Sequence, residues 1–112
     1  MIALRDTLRK FVAERDWDKF HSPKNLAMAL SVEAAELMEH FQWLTEEQSR
    51  RLAPEKLAQV RDEMADVLVY LVRLADKLDV DLLDAAQKKI EKNALKYPAD
   101  KVRGSMKKYS DY

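Results

Sequence analysis

A single glycine and three prolines in 112 residues leave this chain almost no turn chemistry for a many-stranded sheet. The apolar residues follow the other option and recur at helical spacing. Leu4, Leu8, Phe11 and Val12 share one face of a helix running to about Arg15. Asp16-Trp17-Asp18-Lys19-Phe20-His21 breaks the period and is expected as an aromatic-rich loop. Ser22-Pro23 then supplies an N-cap hydroxyl and a proline at the first helical position, predicting a second helix to Phe41 or Trp43. Thr45 with Gln48 has the capping-box pattern, which places a short helix over Glu46 to Leu52.

Pro54 opens the longest segment. Leu57, Val60, Met64, Val67, Leu68, Leu71, Leu74, Ala75 and Leu78 keep helical spacing throughout it. Asp81 can cap a last helix with Leu82, Leu83, Ala86 and Ile90 on one side, ending before Pro98. The expectation is an all-α bundle of four to five helices over residues 1–98. A basic tail, 99–112, carries Lys101, Arg103, Lys107 and Lys108 beside Gly104 and is read as mobile until something binds it. At this length one core forms, burying roughly two-thirds of the extended surface.

Composition narrows the functions. Twenty Lys and Arg against twenty Asp and Glu leave no net charge, which argues against a nucleic-acid partner. The absence of cysteine excludes a disulfide scaffold, a thiolate zinc site and a cysteine nucleophile, and it suits a reducing, cytoplasmic setting. Met1 to Asp6 shows no signal-peptide core, and the longest uncharged runs, Asn25 to Val32 and Val67 to Val72, fall far short of the ~20 residues a bilayer requires. No membrane partner is expected.

The charges are unevenly placed. At 36% charged residues a thirteen-residue window averages between four and five charges, yet Leu26 to Met38 holds only Glu33 and Glu36. Met64 to Val72 holds only Asp66, with Glu63 just before it. Residues three apart share a helix face, so each pair projects its carboxylates together, and two adjacent helices would bring four acids together. Carboxylates in apolar surroundings must be protonated, paired or neutralised by a metal ion. No Lys or Arg lies within a turn of Glu33 or Glu36. Oxygen-only ligands favour Mg²⁺, or Mn²⁺, over softer ions. The bland alternative is a solvated helix edge, which a lone E-x-x-E pattern usually is. A di-iron bundle needs Glu-x-x-His on two helices; His40 has Leu37 three residues before it and the later helices have no His, so that reading fails.

With these residues assembled, the chain resembles the all-α, MazG-like nucleoside triphosphate pyrophosphohydrolases through Glu33-x-x-Glu36 followed by Glu63-x-x-Asp66. Arg15 to His21, Asn25-Leu26, Phe41-Gln42-Trp43, Asp66 to Leu71 and Lys96-Tyr97-Pro98 resemble the dCTP pyrophosphatase branch, over about residues 11 to 110. The resemblance implies Mg²⁺-dependent hydrolysis of a nucleoside triphosphate to monophosphate and pyrophosphate. It implies that Glu33, Glu36, Glu63 and Asp66 hold the metal, that Trp17, His21, Trp43 and Tyr70 line a nucleoside pocket, and that Asn93 and Lys96 face phosphate. It also implies a homo-oligomer, a tetramer built from dimers.

Such chemistry needs positioning and charge stabilisation rather than a covalent nucleophile, in keeping with a chain without Cys or a recognisable Ser-His-Asp arrangement. His21 and Asn25 are candidates for reading the base, with a structural role as the alternative for each. Trp17 and Trp43 flank helix breaks, which favours a stacking role over a core one. The same chemistry on dUTP or a damaged purine nucleotide, or a non-catalytic helical dimerisation or nucleotide-sensing module, are the competing readings.

Overall fold

In the computed structural model, which describes residues 1–104, every regular element is helical. They are α1 (Ile2–Glu14), a 3₁₀ turn (Asp18–Phe20), α2 (Pro23–Glu39), α3 (Glu46–Arg50), α4 (Pro54–Lys77), α5 (Leu82–Lys96) and α6 (Ala99–Val102). None is long and apolar enough to cross a membrane. The chain divides into two compact units, Met1–Val80 and Asp81–Tyr112.

The starts follow the local chemistry. Ser22 Oγ accepts from the Asn25 amide at 3.1 Å and Pro23 occupies the first position of α2. Thr45 and Gln48 close a reciprocal capping box at 3.1 and 2.9 Å. Asp81 caps α5 through the Asp84 amide. The stops are less conventional. α1 and α4 both end in Schellman motifs whose left-handed residue is an aspartate, Asp16 (φ 52°) and Asp79 (φ 54°), in a chain with one glycine to spend. The Trp17 amide donates to Val12 O at 3.1 Å, and the Val80 amide to Ala75 O at 2.8 Å.

Three boundaries differ from the sequence expectation. α2 stops at Glu39, short of Phe41, because the amides of His40 and Phe41 turn to the carbonyls three residues back, Leu37 and Met38. α3 stops at Arg50, since Ala53 ahead of Pro54 is held extended (ψ 152°). Among the described residues there are six α-helices rather than four or five, because Ala99–Val102 forms a short α6 within the expected tail. Lys107 and Lys108 lie outside the described residues.

In the first unit α4 is the spine, with α2 along it and α1 against it. Its buried apolar set is small: Leu8 and Val12 of α1, Leu26 of α2, and Val60, Val72 and Ala75 of α4. Each fully buried aliphatic side chain contributes about 1.5–3 kcal/mol. Many large apolar side chains of the same helices stay exposed, among them Met28, Val32 and Met38 on α2 and Met64 and Leu68 on α4. In the second unit α5 buries no side chain, and Leu83, Ile90 and Leu95 are exposed.

Candidate active site

The α2–α4 contact brings Glu33, Glu36 and Glu63 together. One carboxylate oxygen from each lies within 4.8 Å of the others, and all three residues are half-buried. Glu33 Oε2 and Glu63 Oε2 are sealed from solvent with no hydrogen-bond partner. Among the described residues none of these acids has an ion pair. Burial and the neighbouring Glu63 and Glu36 carboxyls, with the charge of Asp66, push the Glu33 carboxyl up to about 7. Asp66 stands outside the triangle and is exposed. Its shorter side chain sits a turn beyond Glu63, and its charge still acts on Glu33. The expected four-acid convergence is therefore a three-acid cluster with a fourth charge at its edge.

A buried acceptor without a donor costs about 1–3 kcal/mol, more when charged. Two of them, facing a third acid, form a donor set of hard oxygens that suits a divalent cation. The residues present fit such an ion, and the cluster could hold one.

Tyr70 is half-buried on α4, four residues beyond Asp66. Trp43 projects from the turn after α2 with 86% of its surface exposed. Trp17 packs edge-on against Phe11 (centroids 5.7 Å apart), with the Arg15 guanidinium 3.7 Å from the Phe11 centroid. Asn25 donates from Nδ2 to Phe20 O at 3.2 Å, so its amide helps to close the loop. Asn93 and Lys96 are exposed on α5, in the second unit. His21 is half-buried, and its Nδ1 accepts from Arg73 Nε at 3.3 Å.

Arg73 is the residue that sequence reasoning missed. It is 3% exposed, the one buried charged side chain among those described. Nη2 donates to Asp18 Oδ1 at 2.9 Å and Nη1 to Asp76 Oδ2 at 3.2 Å. Lys77 Nζ also meets Asp18 at 2.6 Å, and Arg9 Nε meets Asp76 at 2.8 Å. Lys77 and Arg73 hold Asp18 below the usual carboxylate range, and Arg9 and Arg73 do the same to Asp76. Burial and the Arg73 charge lower His21. The available signal was a cation set directly in the apolar run Val67 to Ala75, with Asp76 three residues on.

A helical unit with E-x-x-E on α2 facing E-x-x-D on α4 defines the class, and the chain belongs to the MazG-like family, whose model matches residues 28–112. Among particular relatives it is similar to dCTP pyrophosphatase 1 of Mus musculus, 45% identical over 104 residues, covering 91% of this chain and 61% of that protein. The Homo sapiens protein of the same name is 43% identical with the same coverage of each chain. The chain thus spans about three-fifths of the length of these relatives. A crystal structure of a pyrophosphatase from Archaeoglobus fulgidus matches with a TM-score of 0.83 at 42% identity, covering 88% of this chain and 92% of that one.

Proposed function

We propose that this protein is a Mg²⁺-dependent nucleoside triphosphate pyrophosphohydrolase that converts dCTP, or a modified dCTP, to dCMP and pyrophosphate. The observation that carries the reading is the unpaired acid triangle with two sealed carboxylate oxygens, in a chain similar to dCTP pyrophosphatases over nearly all of its length.

Hydrolysis to these products breaks the anhydride bridge between the α and β phosphates, with water supplying one oxygen and its protons. Glu33, Glu36 and Glu63, with Asp66 beside them, would hold the metal. When bound, Mg²⁺ reverses the local sign of charge and stabilises the negative charge of the polyphosphate. These acids would hold the ion where α2 meets α4. Trp17, Trp43 and Tyr70 offer faces on which a base can stack for ~1–3 kcal/mol each. His21 and Asn25 supply hydrogen bonds to the base.

A homo-oligomer, in our reading a dimer of dimers, accounts for the apolar side chains left exposed on α2, α4 and α5. The absence of cysteine supports a reducing, cytoplasmic setting. The test is a panel of triphosphates incubated with protein and Mg²⁺, with products identified. dCMP and pyrophosphate are expected, with the highest kcat/KM on dCTP. Preference for dUTP or a purine nucleotide would change the base, release of single phosphate would refute the chemistry, and no turnover at all would favour a sensing or dimerisation module.

A further inference from the structure

The link between Arg73 and His21 lies outside the acid triangle, and the hydrolase reading makes no use of it. Arg73 is held from three sides: Asp18 on the 3₁₀ turn, Asp76 on α4, and His21 at the end of the aromatic loop. A guanidinium has no lone pair and stays protonated at any pH a folded protein meets, so it can only donate. Nδ1 of His21 must then be the acceptor, which in a neutral imidazole puts the ring proton on Nε2. Among the described residues Nε2 has no hydrogen-bond partner, and it is not one of the sealed orphan atoms.

We infer that Arg73 is the positioning residue of His21: its guanidinium fixes the imidazole tautomer, so that Nε2–H stands as a permanent donor toward an acceptor atom of the nucleotide. The identity of that ligand rests on the hydrolase reading above; the tautomer does not. Asp18 and Asp76 occupy both Nη groups, which leaves Nε, in the guanidinium plane, for the ring. Burial lowers His21 most; of the charged groups acting on it, Arg73 and Lys77 of α4 lower it and Asp18 of the turn raises it. The ring is therefore neutral near pH 7 and donates without carrying charge. A neutral, single-faced donor selects an acceptor and rejects a donor at the same position, because two opposed donors leave a polar group unpaired.

The sequence has only two histidines, His21 and His40. ¹⁵N-detected imidazole spectra, assigned with a His40→Gln variant, read the tautomer directly. The expected pattern is a pyridine-like Nδ1 and a protonated Nε2 that persist from pH 7 to 8. Deoxycytidine should move the Nε2 signal if the acceptor is on the base, and pyrophosphate should move it if the acceptor is on phosphate. A protonated Nδ1, or nucleotide turnover with no response of Nε2 to either probe, overturns the inference; the second outcome leaves the hydrolase reading standing. Failure of every triphosphate to turn over refutes the hydrolase reading, while the ligand-free spectrum still decides the role of Arg73.

Side-chain mimicry gives an independent check. Glutamine sets its amide nitrogen near the Nε2 position and asparagine sets its own near Nδ1. His21→Asn should raise KM about tenfold, the cost of one lost hydrogen bond, and His21→Gln should stay within about threefold. The reverse order overturns the inference. Arg73→Met should give a mixture of tautomers and a KM that varies between pH 6 and 8, which loss of packing alone does not produce.

Discussion

Helix α4 carries two charge clusters, at Glu63 and at Arg73, ten residues or roughly 15 Å apart along its axis. Around Arg73 every buried charge has its complement: two carboxylates face it, and Lys77 and Arg9 face those carboxylates in turn. Around Glu63 three acids face one another, and two of their oxygens are sealed with no donor. One cluster is complete within the fold; in the reading proposed above, the other is completed by a bound cation. On that reading the difference separates charges that hold the structure from charges held ready for a ligand. Depressed carboxyls mark the first and a raised carboxyl marks the second.

The contrast can be broken most directly by removing one charge from each cluster. Glu63→Gln should lower kcat by more than about a hundredfold, since losing a ligand costs at least as much as losing the groups that orient one. Its unfolding midpoint should not fall, because a repelled charge has been removed. A steady-state assay beside thermal unfolding checks both. Arg73→Met should do the opposite to stability and lower it by about 3 kcal/mol, because Asp76 keeps only Arg9 and Asp18 only Lys77; urea unfolding measures this. A destabilised Glu63→Gln with an unaffected Arg73→Met would reverse the assignment of the two clusters.

Metal addition sharpens the same point. Mg²⁺ at a hundred times its dissociation constant should stabilise the protein by about 2.7 kcal/mol, and Glu63→Gln should lose that gain. Calorimetric scans with and without the ion decide it.

The smallest expected effect is the pH dependence, which has opposite signs in the two places. Asp76 titrates below its unfolded value, so its contribution is present above that value and is lost as pH falls through the folded one. Glu33 titrates at about 7 when folded, above its unfolded value near 4.5, so the metal-free protein should lose stability as pH rises between them. Allowing for solvent screening, the loss should be about 1 kcal/mol between pH 5 and 8. Glu33→Gln should flatten that slope and leave the acid-side loss intact, as melts across the pH range would show.

The helices were legible because caps and apolar spacing are local: Ser22-Pro23, Thr45 with Gln48, and Asp81 each start an element where expected. Their ends were less so. The left-handed stops at Asp16 and Asp79 use a residue that gives no stop signal by itself, and the exit of α2 depends on where Leu37 and Met38 send their carbonyls. The acid pairs stood out because they interrupt charge-poor windows. That Asp66 stays at the edge of the triangle depends on how α2 meets α4, which the spacing does not encode.

The sequence by itself determined which faces of each helix are apolar and which acids share a face, because 3.6-residue periodicity follows from the order of residues alone. Only the tertiary structure decided which oxygens lose their water and which cation each acid finds. Arg73 lies 52 residues from His21 and 55 from Asp18, and contacts across that distance exist only once the helices have packed.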